Sequence, residues 1–93
     1  MTVPLELDGE LTIAVAAEQQ ARLRAFLQQA AGAFEIDLSG VTELDTAGLQ
    51  LLLAARREAA QRGAALTFLS PSRAVHDVFV TAHLALELDG VSR

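Results

Sequence analysis

The segment of residues 34–61 constrains the fold most, because a strand pattern leads through a short loop directly into a helix pattern. The alternating apolar residues of the strand are Phe34, Ile36 and Leu38. The loop ends in Asp45 and Thr46, and residues 47–61 consist largely of helix formers. Strands that alternate with helices predict an α/β protein, with a sheet that is at least partly parallel.

Two more helices are predicted on either side of this segment. The first covers residues 16–31 and stops at Gly32, with an apolar stripe made of Leu23, Phe26, Leu27 and Ala30. The last helix is opened by Ser70-Pro71-Ser72. Its expected buried stripe is Val75, Val78, Phe79 and Ala82. The helix of residues 47–61 is expected to stop at Gly63, a usual place for a left-handed residue.

Strands are also predicted at residues 65–69 and near the N-terminus. Val3, Leu5 and Leu7 alternate before Asp8-Gly9, which is a turn signal. The alternation resumes with Leu11, Ile13 and Val15. Local chemistry therefore predicts a hairpin at this end of the chain.

Thr46 is the candidate site of modification, because its hydroxyl would lie at a helix N-terminus. Unpaired N–H groups and the positive end of the helix dipole gather there, so negative charge is tolerated and a phosphate can be accommodated. The neighbouring Asp45 and the earlier Asp37 could hold a metal ion or act as acid and base. No further ligand cluster accompanies them, and capping of helix N–H groups is the stronger interpretation for Asp45.

The helix of residues 47–61 presents one face that should pack on the sheet, at about 100° per residue. Its members are Gly48, Leu51, Leu52, Ala55 and Ala59. Gly48 permits a close approach of the helix to the sheet. Leu49 and Leu53 lie on the shoulder of this face, beside Arg56. They either widen the buried stripe or form a small apolar patch near Thr46, as docking surfaces do.

Several segments of the chain together carry a family resemblance. The central ones are Asp37-Leu38-Ser39 and Asp45-Thr46-Ala47-Gly48-Leu49. Gly9-Glu10-Leu11 precedes them, and Leu69-Ser70-Pro71 with Val75, Val78, Phe79 and Leu84 follows. In this order the segments resemble the STAS domain family, the anti-sigma factor antagonists and their relatives, over nearly the whole chain.

The resemblance implies a STAS-like fold, with about four strands in a mixed sheet and three to four helices packed on it. In this family Gly-Glu-Leu closes the second strand and a helix soon follows, so the resemblance competes with the hairpin that local chemistry predicts. One domain would span residues 1–93, with the first family strand shortened or missing and a frayed end at residues 89–93. It further implies a phosphorylatable binding module with no enzymatic activity and no cofactor. Thr46 would be the phosphate acceptor, whereas Asp37, Ser39 and Gly48 would belong to the structural motif.

The partner implied by the resemblance is an anti-sigma factor of the serine/threonine kinase type, which is an ATP-dependent enzyme. The contact surface would consist of Asp45, Thr46, Leu49, Leu53 and Arg56. Asp45 would cap the helix and shape recognition by the kinase. Phosphorylation of Thr46 would then disrupt the interface.

A threonine stands where sporulation-type antagonists carry serine, and this supports an alternative. The chain would then be a constitutive subunit bound to the ATPase of a lipid transporter, or a chemotaxis-associated STAS protein. In such a subunit Thr46 would form a permanent hydrogen bond at the interface. The sequence leaves the pathway and the oligomeric state open.

Composition sets further limits on function. The formal charge is −5, from seven arginines, no lysine and twelve acidic residues, and nucleic-acid binding requires clustered basic residues instead. Arg56, Arg57 and Arg62 share one helix and are read mainly as a solvated face, with an acidic partner or a phosphate as the alternative. No cysteine, leader-like start or membrane-length apolar run is present, so we expect a cytoplasmic protein without membrane insertion.

Enzymatic signatures are missing from the sequence. His76 and His83 lie seven residues apart, but no cysteine or acid at ligand spacing accompanies them for zinc. Gly40 and Gly48 lack the lysine of a phosphate-binding loop, and no Ser-His-Asp set is apparent. We therefore expect no catalysis by this chain alone.

Overall fold

The computed structural model describes residues 4–29 and 32–82, which form an α/β domain. The strands are β1 (Leu5–Leu11), β2 (Ala33–Leu44) and β3 (Ala65–Leu69). The α-helices are α1 (Ala16–Leu27), α2 (Thr46–Gln61) and α3 (Arg73–Thr81), and a 3₁₀ turn, Ile13–Val15, precedes α1. The predicted fold class is confirmed. The described part of the sheet has three strands, all parallel, instead of about four in a mixed arrangement.

The sheet has the order β1-β2-β3, with β2 in the centre. Because side chains alternate along a strand, Phe34, Ile36 and Leu38 point to one face, and all three are buried. Phe34 meets Phe26 of α1 edge to face, with ring centroids 5.2 Å apart. Helices α1 and α2 pack against each other and α3 packs on β2, so the core lies between the helices and this face.

The predicted N-terminal hairpin is wrong. The residues Leu5–Leu11 form one continuous strand that runs parallel to β2, and Gly9 lies inside it with φ +73°. The register shifts on either side of Asp8 and Gly9, so this glycine allows an irregular strand to continue instead of turning back. Leu11 is buried, whereas Ile13 leaves the strand pattern and is exposed.

The strand β2 continues through the segment that was predicted to be a loop. Its second half pairs with the second half of β1, with Asp8 opposite Gly40 and Leu11 opposite Leu44. A Cβ at Gly40 would lie 2.8 Å from the Cβ of Asp8, so only glycine permits this close pairing. Asp37 and Ser39 therefore lie within the strand, and Asp37 does not end it.

The first helix is shorter than predicted. Helix α1 ends at Leu27, and the Arg62 guanidinium of the next helix donates to the Leu27 carbonyl. Gly32 lies five residues beyond this end and does not adopt a left-handed conformation. Gly63 does, with φ +75°, and terminates α2 as predicted.

Some predictions fall on residues that the structure does not describe. These residues are Val3, Ala30, His83, Leu84 and the proposed frayed end at 89–93. The shortening of the N-terminal strand stays a prediction, because residues 1–3 lie outside the described residues. Within residues 4–29 and 32–82, no helix combines the length and the apolar character needed to span a bilayer.

Candidate functional site

Thr46 is exposed and is the first residue of α2, as the sequence predicts. The helix begins here because Asp45 has an extended backbone and caps the helix. The Gly48 N–H donates to Asp45 Oδ1 at 3.0 Å, and the Leu49 N–H donates to the Asp45 carbonyl at 2.9 Å. An unpaired N–H of the first turn is thereby satisfied next to the Thr46 hydroxyl.

Asp45 also binds a second element, which the sequence did not reveal. The backbone N–H of Ile13, in the 3₁₀ turn, donates to Asp45 Oδ2 at 2.9 Å. The Asp45 N–H in turn donates to the Leu11 carbonyl at 3.3 Å. The Ile13 N–H, and next to it the Gly48 N–H, hold the pKa of Asp45 below its ordinary value. Asp45 is therefore a carboxylate at neutral pH.

Gly48 fixes the start of α2 against the end of β1. A Cβ at this position would lie 2.1 Å from the Leu11 carbonyl oxygen and 2.7 Å from Leu44 Cδ1. No side chain fits in that space. The close approach inferred from the sequence is thus present, and it brings the first turn of α2 to the end of β1.

An apolar cleft of about 330 Å³ borders Thr46 between α2 and α3. Its lining residues are Thr46, Leu49, Asp77, Val78, Thr81 and Ala82. Leu49 is only 9% exposed and belongs to the core, yet it forms part of this lining. Leu53 is half-buried and packs against the core. Leu49 thus belongs to the core and also borders the cleft beside Thr46, whereas the cleft lining does not include Leu53. A docking role for either residue stays a prediction.

Arg56 lies apart from Thr46. It is ten residues further along α2, roughly 15 Å at the rise of an α-helix. Its guanidinium carbon lies 5.8 Å from the ring centroid of Phe68, and the side chain is half-buried. Arg62 is the C-cap residue of α2. Its guanidinium forms an ion pair with Glu58 at 3.0 Å and donates a hydrogen bond to the Leu27 carbonyl. These two arginines thus have structural contacts, which the interpretation as a solvated face did not include.

The side chain of Asp37 makes its hydrogen bond within β2 and not at the start of α2. The Ser39 N–H donates to Asp37 Oδ1 at 2.8 Å and holds the pKa of Asp37 below its ordinary value. Asp37 pairs in register with Glu6 and Leu69 at the middle of the sheet, so Asp37 and Asp45 do not share a site. Among the described residues, no group of three or more His, Cys, Asp or Glu side chains is arranged to hold a metal ion.

Acidic side chains lie on the elements that adjoin the first turn of α2. Glu10 and Glu43 are exposed and directly opposite each other in the register of β1 and β2. Glu10 accepts a hydrogen bond from the Thr12 hydroxyl at 2.5 Å. Asp77 lines the cleft on the α3 side. An anion added at Thr46 would therefore meet a field that is already negative.

These features define a small α/β domain with an accessible hydroxyl at a helix N-terminus, beside an apolar cleft and an acidic rim. The family model described as "Mlab, STAS domain" matches residues 2–89. The chain therefore belongs to the STAS domain family.

A solved structure supports the same assignment. The structure of the anti-sigma factor antagonist SpoIIAA in its unphosphorylated form superposes with a TM-score of 0.76 at 25% sequence identity. The match covers 99% of this chain and 81% of that chain. No curated protein sequence gives a significant match.

Proposed function

We propose that this STAS domain is a partner-switching signalling module, controlled by phosphorylation of Thr46. The observation that carries the proposal is the exposed Thr46 hydroxyl on the first turn of α2, beside the Asp45 cap. The partner is a serine/threonine kinase-type ATPase of the anti-sigma factor class. The chain is the substrate of that kinase and not an enzyme itself, and it acts in the cytoplasm, where ATP is available.

The unmodified site is suited to binding. The cleft between α2 and α3 offers an apolar surface to a partner, and Thr46 adds a neutral hydroxyl at its edge. Apolar recesses beside exposed polar groups are typical of interaction surfaces. The likeness to an anti-sigma factor antagonist supports this class of partner.

A phosphate on Thr46 would oppose that binding. It adds a charge of about −1.5 to −2 at neutral pH, next to Asp45, Glu43 and Asp77. The helix dipole stabilises such a charge by at most about 1 kcal/mol, whereas burying an unpaired dianion at a docked interface costs several kcal/mol. The modified domain therefore remains stable but dissociates from its partner.

Phosphate mapping tests the proposal directly. The purified chain is incubated with the kinase-type ATPase, ATP and Mg²⁺, and the phosphate is located by tandem mass spectrometry. We expect one phosphate, on Thr46, and none on the Thr46→Ala variant. Thr42→Ala is the matched control, since Thr42 is exposed on β2 and precedes the helix by four residues. Phosphate on Ser39 or Thr42 in the wild-type chain would move the switch to that residue.

The cleft beside Thr46 also favours a second candidate, a constitutive subunit of a transporter ATPase or of a chemotaxis-associated assembly. Thr46 would then donate a permanent hydrogen bond to the partner while Leu49 contacts it through the cleft. In this case the chain receives no phosphate, and Thr46→Ala weakens binding because the hydrogen bond to the partner is lost. The phosphate-mapping experiment, combined with a binding measurement on Thr46→Ala, separates the two candidates.

A further inference from the structure

We propose that Ile13 is a second anchor of the partner-binding surface, and that it enters an apolar pocket of the ATPase flanked by lysine or arginine side chains. This inference rests on the proposed function. Ile13 is 75% exposed, and Val80, at 46%, is the other large hydrophobic residue that is exposed in the described part of the chain. The two residues differ in what surrounds them.

The backbone of Ile13 is hydrogen-bonded to Asp45, the residue that precedes Thr46. The Val15 N–H donates to the Thr12 carbonyl at 3.0 Å and closes the 3₁₀ turn. The Ile13 N–H donates to Asp45 Oδ2. Asp45 is the N-cap of α2 and directly precedes Thr46. Because these bonds already fix the backbone at Ile13, binding costs little backbone entropy there, which is a property of anchor residues.

The cleft and Ile13 both border the first turn of α2. The cleft contributes Thr46 and Leu49, and Ile13 joins the same turn through Asp45. An isolated exposed aliphatic residue needs no explanation, but here Asp45 joins it to the helix turn that also borders the apolar cleft. The two apolar elements together give a partner two points of contact around Thr46.

The charges around these contacts define the chemistry of the partner. Glu10, Glu43 and Asp77 are exposed and Asp45 is half-buried. Asp77 lines the cleft and Asp45 accepts the Ile13 N–H, while Glu10 and Glu43 are opposite each other in the strands that lead into the 3₁₀ turn and into α2. Of these four acids, only Asp77 has an arginine partner among the described residues, Arg73 at 3.8 Å, and it also lies 3.9 Å from His76. The side chains of Arg73 and Asp77 are largely exposed. A complementary surface therefore presents cationic side chains around its apolar pocket.

The test compares two matched variants, Ile13→Asp and Val80→Asp, which add the same charge at the two exposed apolar positions. Affinity for the ATPase that phosphorylates Thr46 is measured by isothermal titration calorimetry. We expect Ile13→Asp to weaken binding by about tenfold or more, as anchor residues do, and Val80→Asp to leave it unchanged. Ile13→Ala, which adds no charge, should weaken binding as well. Equal thermal melts of all variants show that the fold is retained.

Methyl NMR gives an independent readout, because the chain contains only two isoleucines. Ile13 is exposed and Ile36 is fully buried, so selectively labelled protein yields one surface probe and one core probe. Addition of the ATPase should shift the Ile13 signal strongly and the Ile36 signal little. Binding should also weaken as salt is added, since complementary charges are screened.

Two results would overturn the inference. These are unchanged affinity for both Ile13 variants, or an Ile13 methyl signal that stays the same in the complex. If Thr46→Glu still weakens binding in the same assay, the proposed function stands and only the role of Ile13 is lost. If the wild-type chain does not bind the ATPase at all, the proposed function fails and this inference fails with it.

Discussion

Asp45 accepts the backbone N–H of Ile13 at 2.9 Å, and this bond joins two residues that are 32 positions apart. The other oxygen of the same carboxylate caps α2 through Gly48. One side chain thus fixes the turn after β1 and the start of the helix that carries Thr46. Each oxygen of this carboxylate accepts a backbone N–H, and this favours the ionised form of Asp45.

Asp45→Asn should lower the stability of the domain at neutral pH. It should also make the loss of stability at acid pH smaller than in the wild-type chain. The amide retains one acceptor oxygen and its NH₂ group cannot accept, so the bond from either the Ile13 N–H or the Gly48 N–H is lost. The folded-state pKa of Asp45 lies below the ordinary value of 3.8, so the unfolded chain binds more protons between the two pKa values. The contribution of Asp45 is therefore complete above that ordinary value and disappears as the pH falls through the folded pKa. Urea unfolding from pH 7 to pH 2 measures it.

Asp37→Asn is the control for this experiment. The pKa of Asp37 is lowered in the same direction by the Ser39 N–H, so this variant also flattens the acid part of the stability curve. It should leave the Ile13 amide resonance unchanged, whereas Asp45→Asn should shift it. An Asp45→Asn variant with the wild-type acid profile would contradict the role of the Asp45 carboxylate.

The local pattern was sufficient for the elements whose signals are short-range. The helix that begins at Thr46, its stop at Gly63 and the strand Ala65–Leu69 all follow from propensity, capping and periodicity. The hydrogen bond from the Gly48 N–H to the capping Asp45 side chain belongs to the same group. Each of these features depends on residues within about four positions of one another.

The features that the sequence did not reveal depend on pairing between distant residues. Asp8-Gly9 reads as a turn, but the pairing of β1 with the second half of β2 keeps the chain extended there. The same pairing converts the predicted loop at Ser39 and Gly40 into strand. The bond from Ile13 to Asp45 exists only because that pairing brings Leu11 next to Leu44. No local pattern encodes these contacts.

Gly48→Ala should destabilise the domain by about 1–3 kcal/mol, because the added methyl group overpacks a closed space. The new Cβ would lie 2.1 Å from the Leu11 carbonyl oxygen, so either α2 or β1 must shift. Gly32→Ala is the matched control, since nothing lies within 4 Å of a Cβ there. Chemical denaturation of both variants measures the difference. Equal stability of the two would show that α2 does not rest on β1 at Gly48.

Substitution by glutamate should have different effects on stability at Leu52, Leu53 and Leu49. Leu52 is fully buried, so Leu52→Glu would bury an unpaired charge and unfold the domain. Leu53 is half-buried, and the carboxylate of Leu53→Glu can reach water, so the fold should persist. Leu49 is 9% exposed, and we expect Leu49→Glu to destabilise the fold to an intermediate degree, more than its shoulder position implied. Thermal melts rank the three variants, and a collapse of all three would place Leu53 in the core.

Arg62→Gln should lower stability by about 0.5–1.5 kcal/mol, the usual net value of a hydrogen bond. The guanidinium binds the Leu27 carbonyl at the end of α1 and the Glu58 carboxylate one turn back on α2. The substitution leaves the Leu27 carbonyl to water. Arg57→Gln removes the same charge from an exposed position on α2 and should change stability little. If Arg62→Gln and Arg57→Gln unfold at the same urea concentration, Arg62 does not stabilise the contact between α1 and α2.

Thr46→Glu should abolish or strongly weaken partner binding, whereas Thr46→Ala should bind but accept no phosphate. The carboxylate adds a negative charge at the edge of the apolar cleft, among Asp45, Glu43 and Asp77. It carries less charge than a phosphate, so we expect a smaller loss of affinity than phosphorylation causes. Thr42→Glu places the same charge on exposed β2 and should retain binding. Calorimetric titration of the three variants against the ATPase measures the effect, and equal weakening by Thr42→Glu would indicate a general charge effect instead of a switch at Thr46.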